Sequence, residues 1–288
     1  MIPKFLVIGA SGYLGSAFLR EARRLHPDAL GLTRRAVPLE SPDLFISGVK
    51  TMGYHWGVIA AAVPGLARCE TDPEGTRRCN VEGTLSLARQ LVKIGIRPLW
   101  FSSDQVFDGT AQFYTDYSPT CPINEYGRQK AEVEARFAEA SAGTGLVVRL
   151  SKVYDATPGS GTLLDGMVMN LRSGGTERAA SDLVFCPTHR DDVVTCVIRL
   201  MQLDASGIAN VAAPPISRLD LARLAAKTLG ADPGQVEPIR LSDLNEPFSR
   251  PDQVTLLPSK KLCGYEFQTV HEFLERQTET APETRSAL

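Results

Sequence analysis

Two side chains four residues apart, Tyr126 and Lys130 in N-E-Y-G-R-Q-K (124–130), share one face if their segment is helical. A free phenol has a pKa near ~10 and is a poor proton donor or acceptor near neutrality. A neighbouring ammonium stabilises the phenolate and lowers that value, so Y-x-x-x-K on a helix can work as an acid–base pair. An ordinary surface Tyr–Lys pair has the same spacing. Upstream, F-S-S-D-Q-V-F-D-G (101–109) follows the apolar run R-P-L-W-F (97–101), which puts Ser102, Ser103 and Asp104 at a strand end. Ligands of open α/β sheets bind at the carboxyl ends of strands.

A second constellation lies at the N-terminus. G-A-S-G-Y-L-G (9–15) is a G-x-x-G-x-x-G between a strand pattern and a helix pattern. A sharp turn there needs glycine, a pyrophosphate approaching the backbone needs a missing side chain, and the helix start supplies N–H donors. A tight strand-to-helix turn with no ligand is the alternative. After the next strand pattern, Thr33-Arg34-Arg35 stand where an NAD-preferring fold places an acid for the ribose 2′-hydroxyl. Guanidinium groups match a phosphate instead, which favours NADP(H) with Arg34 or Arg35 on the 2′-phosphate. A solvated basic turn is again the alternative.

These residues require elements to hold them. K-F-L-V-I (4–8), A-L-G-L-T (29–33), G-V-I-A-A-A (57–62), R-P-L-W-F and G-L-V-V-R-L (145–150) read as strands. Leu14, Phe18, Ala22 and Leu25 give helical spacing over 12–25. A long helix is predicted from about Asp72 to Ile94, with Pro73 in its first turn, and another from about Glu125. This β-α-β-α alternation predicts an α/β fold: a Rossmann-type, doubly wound parallel sheet. After about residue 150, Gly- and Pro-containing breaks predict a smaller substrate-binding lobe over 151–280, with later segments returning to the 1–150 domain. The end, 279–288, reads as a flexible tail.

The 288 residues carry a formal net charge of −2, which offers no basic field for nucleic acid or anionic lipid. No apolar run approaches the ~20 residues of a spanning helix, and the apolar start M-I-P-K-F-L-V-I-G reads as a strand, with neither a charged n-region nor a cleavage site. Six cysteines without a C-x-x-C fit reduced thiols in a cytoplasm, and four scattered histidines suggest no metal site.

G-A-S-G-Y-L-G, A-A-A (60–62), N-V-E-G-T (80–84), S-S-D-Q-V-F-D-G and Y-G-R-Q-K together resemble an extended short-chain dehydrogenase/reductase. S-S-D-Q-V-F-D-G followed by P-x-x-P-I-N-E-Y-G-R-Q-K-A-E-V-E most resembles the dTDP-4-dehydrorhamnose reductase branch, as do C-E-T-D-P-E (69–74) and R-P-D-Q-V-T-L-L (250–257). The resemblance is strong over about 1–155 and weaker to about 275.

It implies NADPH-dependent reduction of a keto group on a nucleotide-activated sugar. Tyr126 would protonate the substrate oxygen. Lys130 would hold the nicotinamide ribose and lower the tyrosine pKa, and Ser103 would hydrogen-bond the reacting oxygen. Gly9, Ser11, Gly12, Tyr13, Leu14, Gly15, Thr33, Arg34, Arg35, Ala60, Ala61, Ala62 and Ser102 would face the cofactor, with Tyr126 and Lys130. Asp104, Gln105, Lys152, Tyr154, Arg190 and Arg250 are the candidates to contact the substrate, the two arginines through its diphosphate. For Tyr154 core packing, and for each arginine an ordinary structural or surface place, are the alternatives. Relatives often pair through helices flanking the sheet, which implies a homodimer.

Nucleotide-sugar 4,6-dehydratases resemble this fold but carry Asp-Glu where Asp104-Gln105 stand. A glutamine amide cannot take a proton at neutral pH, so dehydration is disfavoured. Two rivals remain: an epimerase, usually paired with NAD, and a non-catalytic NADP-binding subunit resembling the beta subunit of methionine adenosyltransferase. The branch commonly has Tyr at Gln105 and often Trp at Lys152, two positions that would flank the sugar; Lys152 is read either as approaching a phosphate or carboxylate or as solvated. Asn80 reads as an internal hydrogen-bonder and Asp192 as structural.

Overall fold

A computed structural model describes residues 3–39, 49, 53–155 and 159–279. The proposed tail from residue 280 lies outside these.

The chain opens with β1 (Phe5–Ile8), α1 (Tyr13–Leu25), β2 (Gly31–Leu32) and β3 (Trp56–Ile59). Next come α2 (Leu66–Thr71), α3 (Pro73–Arg77), α4 (Thr84–Lys93), β4 (Arg97–Ser103), α5 (Glu125–Ala140) and β5 (Leu146–Leu150). The expected long helix over 72–94 is interrupted: residues Arg78–Gly83 form a π-helical turn between α3 and α4. One residue too many per turn points Asn80 inward, as π-helical insertions near ligand sites often do.

The remaining elements are β6 (Val153–Tyr154), α6 (Leu163–Arg172), β7 (Glu177–Ala180), β8 (Val184–Phe185), β9 (Thr188–His189), α7 (Arg190–Gln202), β10 (Gly207–Asn210), β11 (Ile216–Ser217), α8 (Arg218–Leu229), β12 (Val236–Ile239) and α9 (Val270–Glu279).

Six strands pair in the order β10-β5-β4-β3-β1-β2, every pair parallel. The doubly wound parallel sheet expected from the alternation is therefore present. Its strands read as continuous apolar runs because both faces are covered. In β4, Leu99 and Phe101 enter a core with α1 and α7, while Trp100 enters the opposite core with α4 and α5. A third cluster packs α6, β7, α8 and α9 together. β7 pairs with β12 in parallel and β8 with β11 antiparallel.

α7 covers the face shared with α1, and β10 lies against β5. Helix α5 is fixed to β5 by a buried ion pair. Arg149 donates from Nη2 and Nε to the Glu134 carboxylate at 2.6 and 2.9 Å. Among the described residues no helix is long and apolar enough to cross a membrane.

Candidate active site

Because all six strands run the same way, their carboxyl ends form one edge. Along it, β1 leads into Gly9, β3 into Ala60, β4 ends at Ser103, and β5 is followed by Ser151 and Lys152. The chain reverses its winding between β1 and β3, the crevice where such sheets take ligands.

That crevice is a cleft of about 530 Å³ lined by Gly9, Ser11, Gly12, Arg34, Val37, Leu39, Ala60, Ala61, Ala62, Val63 and Cys79. Gly9 has φ 87°, and a Cβ on it would lie 2.5 Å from the Ala61 nitrogen. Only glycine lets the two loops approach like this. α1 starts at the cleft with no acid in its first turn, leaving its positive end available to an anion. Asn80 fixes the opposite wall, accepting from Val63 N at 2.8 Å and donating to Val63 O at 3.1 Å. It also donates to Gln129 Oε1 at 2.9 Å, tying that wall to α5.

Not every expected cofactor residue lines the cleft. Arg34 does; Arg35 and Thr33 are exposed on the adjoining turn, where Thr33 O accepts from Ala36 N and Val37 N. Leu14 packs on the core and Gly15 is buried behind the turn. Tyr13 turns away, its ring 4.9 Å from the Arg190 guanidinium. Ser102 is buried with its Oγ unpartnered, a polar atom awaiting an acceptor or donor. The shape, the acid-free helix start and the Arg34 guanidinium fit a dinucleotide with a 2′-phosphate.

The acid–base residues sit next along the edge. α5 carries both Tyr126 and Lys130, and Lys130 Nζ donates to Phe101 O at 2.7 Å. It stands 4.4 Å from the Trp100 ring centroid and 5.5 Å from that of Tyr126. Burial dominates both groups. It pushes the Tyr126 phenol above its usual range, aided by Cys69 and Asp104, and brings Lys130 down to about 7. The expected lowering of the tyrosine pKa by its lysine is thus absent here. Desolvation penalises phenolate and ammonium alike, and the ammonium is spent on a carbonyl.

Asp104 is the centre of a buried network. Its Oδ1 accepts from Ser103 Oγ at 3.0 Å and Gln105 Nε2 at 3.1 Å, and its Oδ2 from Ser151 Oγ at 2.6 Å. Gln105 Oε1 in turn accepts from Asn124 Nδ2 at 3.0 Å. Both ends of the Gln105 amide are therefore committed.

Beyond this network lies a second pocket of about 500 Å³, lined by Asp104, Gln105, Lys152, Leu163, Leu183, Val184, Phe185, Arg218, Arg250, Pro251 and Val254. Lys152 lines this pocket half-buried, and burial lowers its pKa, Asp104 acting against it. Arg250 pairs with Glu246, and Arg218 with Glu177 at 3.2 Å. Each guanidinium keeps a buried Nε–H without an acceptor.

Two expected substrate residues are elsewhere. Tyr154 is 2% exposed, packed edge-on to His189 and Phe273 in the third cluster. Arg190 pairs with Asp155 at 2.7 Å beside Tyr13, on the side of α1. These places match the alternatives given for each: aromatic packing for Tyr154, a structural ion pair and ring contact for Arg190. Asp192 is structural, accepting from Tyr265 OH at 2.7 Å and Gln268 N at 2.9 Å. Arg218 was missed, since nothing in I-S-R-L-D distinguishes it from a surface residue opening a helix. Asn124 was also missed, although its place just before a helical pattern is a cap signal.

The RmlD substrate binding domain family model matches residues 3–279. The chain is 28% identical over 242 residues to a dTDP-4-keto-6-deoxy-D-glucose reductase of Streptomyces niveus, covering 83% of each chain. It is 28% identical over 261 residues to a dTDP-4-dehydrorhamnose reductase of Mycobacterium tuberculosis, covering 86% of this chain and 82% of that one. A solved dTDP-4-dehydrorhamnose reductase of Bacillus anthracis, in complex with NADP, superposes with a TM-score of 0.84. That match covers 97% of this chain and 100% of the other at 20% identity, a likeness of fold.

Proposed function

Because the chain belongs to the RmlD substrate binding domain family, we propose that it reduces a keto group on a nucleotide-activated sugar with NADPH. The observation that carries this reading is the sequence of sites along one sheet edge: a dinucleotide cleft at β1 and β3, Ser103 ending β4, and a cation-lined pocket past β5.

A bound reduced nicotinamide supplies the hydride. Gly9, Ser11, Gly12 and Ala60–Ala62 hold the dinucleotide, and Arg34 takes its 2′-phosphate. Tyr126 gives its phenolic proton to the substrate oxygen as the hydride reaches the carbonyl carbon. The Ser103 hydroxyl bonds the same oxygen once substrate draws it from Asp104. Asp104, held as an acceptor by three donors, orients a sugar hydroxyl. Arg218 and Arg250 take the diphosphate from the pocket wall, with Lys152 adding charge. Gln105, committed at both ends, is a spacer rather than a proton carrier. In the same reading the protein is cytoplasmic and pairs with a second copy through helices flanking the sheet.

The test is NADPH oxidation, followed by nicotinamide absorbance, with a panel of dTDP-linked 4-keto-6-deoxy sugars and with NADH as control. Turnover with NADPH is expected, and Tyr126→Phe should lower kcat by roughly 10²–10⁴-fold while NADPH still binds. NADPH binding without turnover across the panel would favour a regulatory subunit. Sugar interconversion without net NADPH consumption would favour an epimerase.

A further inference from the structure

We infer that Asn124 is a positioning residue that joins the substrate-gripping segment at Arg250 to the helix bearing Tyr126. The inference rests on the diphosphate reading of the second pocket.

Asn124 is fully buried just before α5. Its Oδ1 accepts from Gly127 N at 2.8 Å, capping the helix that carries Tyr126 in its first turn. A cap needs only an acceptor, which Ser, Thr or Asp would also supply. The amide of Asn124 adds two N–H donors, and both are used. One goes to Gln105 Oε1 at 3.0 Å, the other to Ser249 O at 3.1 Å. Gln105 lines the pocket and holds Asp104. Ser249 immediately precedes Arg250, whose side chain lines the pocket opposite. One amide therefore touches the start of the acid–base helix, the sugar-side network and the backbone beside a phosphate-binding arginine. When Arg250 closes on a diphosphate, the Ser249 carbonyl moves with it, and Asn124 carries that adjustment to the first turn of α5.

The inference separates from simple capping by substitution. Asn124→Ser keeps a capping oxygen and removes both N–H donors. Asn124→Asp also keeps the cap, and sets a carboxylate oxygen against two acceptors, Gln105 Oε1 and Ser249 O. The experiment is a double-mutant cycle with Arg250→Ala, using dTDP as the probe in titration calorimetry and kcat with the best keto-sugar of the panel. Asn124→Ser is expected to weaken dTDP binding about tenfold, the loss of the hydrogen bond to Ser249 O beside Arg250, and to lower kcat similarly. In the Arg250→Ala background the same change should alter dTDP affinity by less than about twofold. Equal effects in both backgrounds would overturn the inference, as would an Asn124→Ser enzyme with native affinity and kcat. If Asn124→Ser does not fold, Asn124→Asp carries the same cycle, with the same two overturning results. A wild-type protein that binds no dTDP would defeat the underlying reading and the inference together. Additive effects in a protein that does bind it would defeat this inference alone.

Discussion

Gly127→Ala is the most demanding test of how closely α5 is seated. A Cβ at Gly127 would stand 2.0 Å from Gln105 O and 2.9 Å from Gln105 C. Real Cβ atoms do not approach closer than 3.0 Å, so a gap of about 1 Å must open between two backbones, with no flexible side chain to yield. The helix cannot retreat as a whole, because Arg149 and Glu134 lock it to β5. Its first turn must therefore tilt, taking Tyr126 with it. A misplacement of about 1 Å at a reacting centre costs about 10²-fold in rate. Overpacking costs about 1–3 kcal/mol, and exchanging glycine for alanine in a helix returns about 1 kcal/mol. The expected result is a kcat lowered about a hundredfold with a net loss of stability of no more than about 2 kcal/mol. The paired assays are steady-state NADPH oxidation and urea unfolding. A Gly127→Ala enzyme with kcat within twofold of wild type would refute the claim that this contact sets the tyrosine.

Two further outcomes follow from the site. Arg34→Ala should raise the KM for NADPH roughly tenfold or more, as expected for losing one charge-assisted contact, and leave the KM for NADH nearly unchanged; parallel saturation curves check this. Burial holds Lys130 near 7, below its ordinary 10.5, so the unfolded chain binds the extra proton between those values and stability should rise with pH from about 7 towards 10.5. Lys130→Met should flatten that rise, as read by urea midpoints across the range.

The parallel sheet was legible because strands buried on both faces leave uninterrupted apolar runs, and because helical spacing separates them. β2 was overread: only Gly31 and Leu32 pair, since the turn at Thr33–Ala36 takes the chain out of the sheet. The π-helical turn was invisible, as one extra residue in N-V-E-G leaves no mark on a hydrophobic period. The Tyr–Lys spacing was legible, but its electrostatics were not. Whether lysine lowers or burial raises the phenol pKa depends on Phe101, Trp100 and Asp104, which are distant in sequence from one or both groups. Arg218 and Arg250 show the same limit. Thirty-two residues apart, they meet only because α8 and the 246–250 segment close over one pocket.

The position of β10 at the sheet edge bears on how the chain is made. β5 emerges from synthesis with one side paired to β4 and the other open, and its partner arrives only after residues 151–206. α7, which seals the core above Phe5, Phe18 and Leu146, is equally late. A nascent chain ending near residue 150 would thus present an unpaired parallel edge and an uncovered apolar face, both prone to sticking to other chains. The chain up to β5 and the chain after it are therefore one folding commitment, and a protein cut between them should aggregate rather than persist.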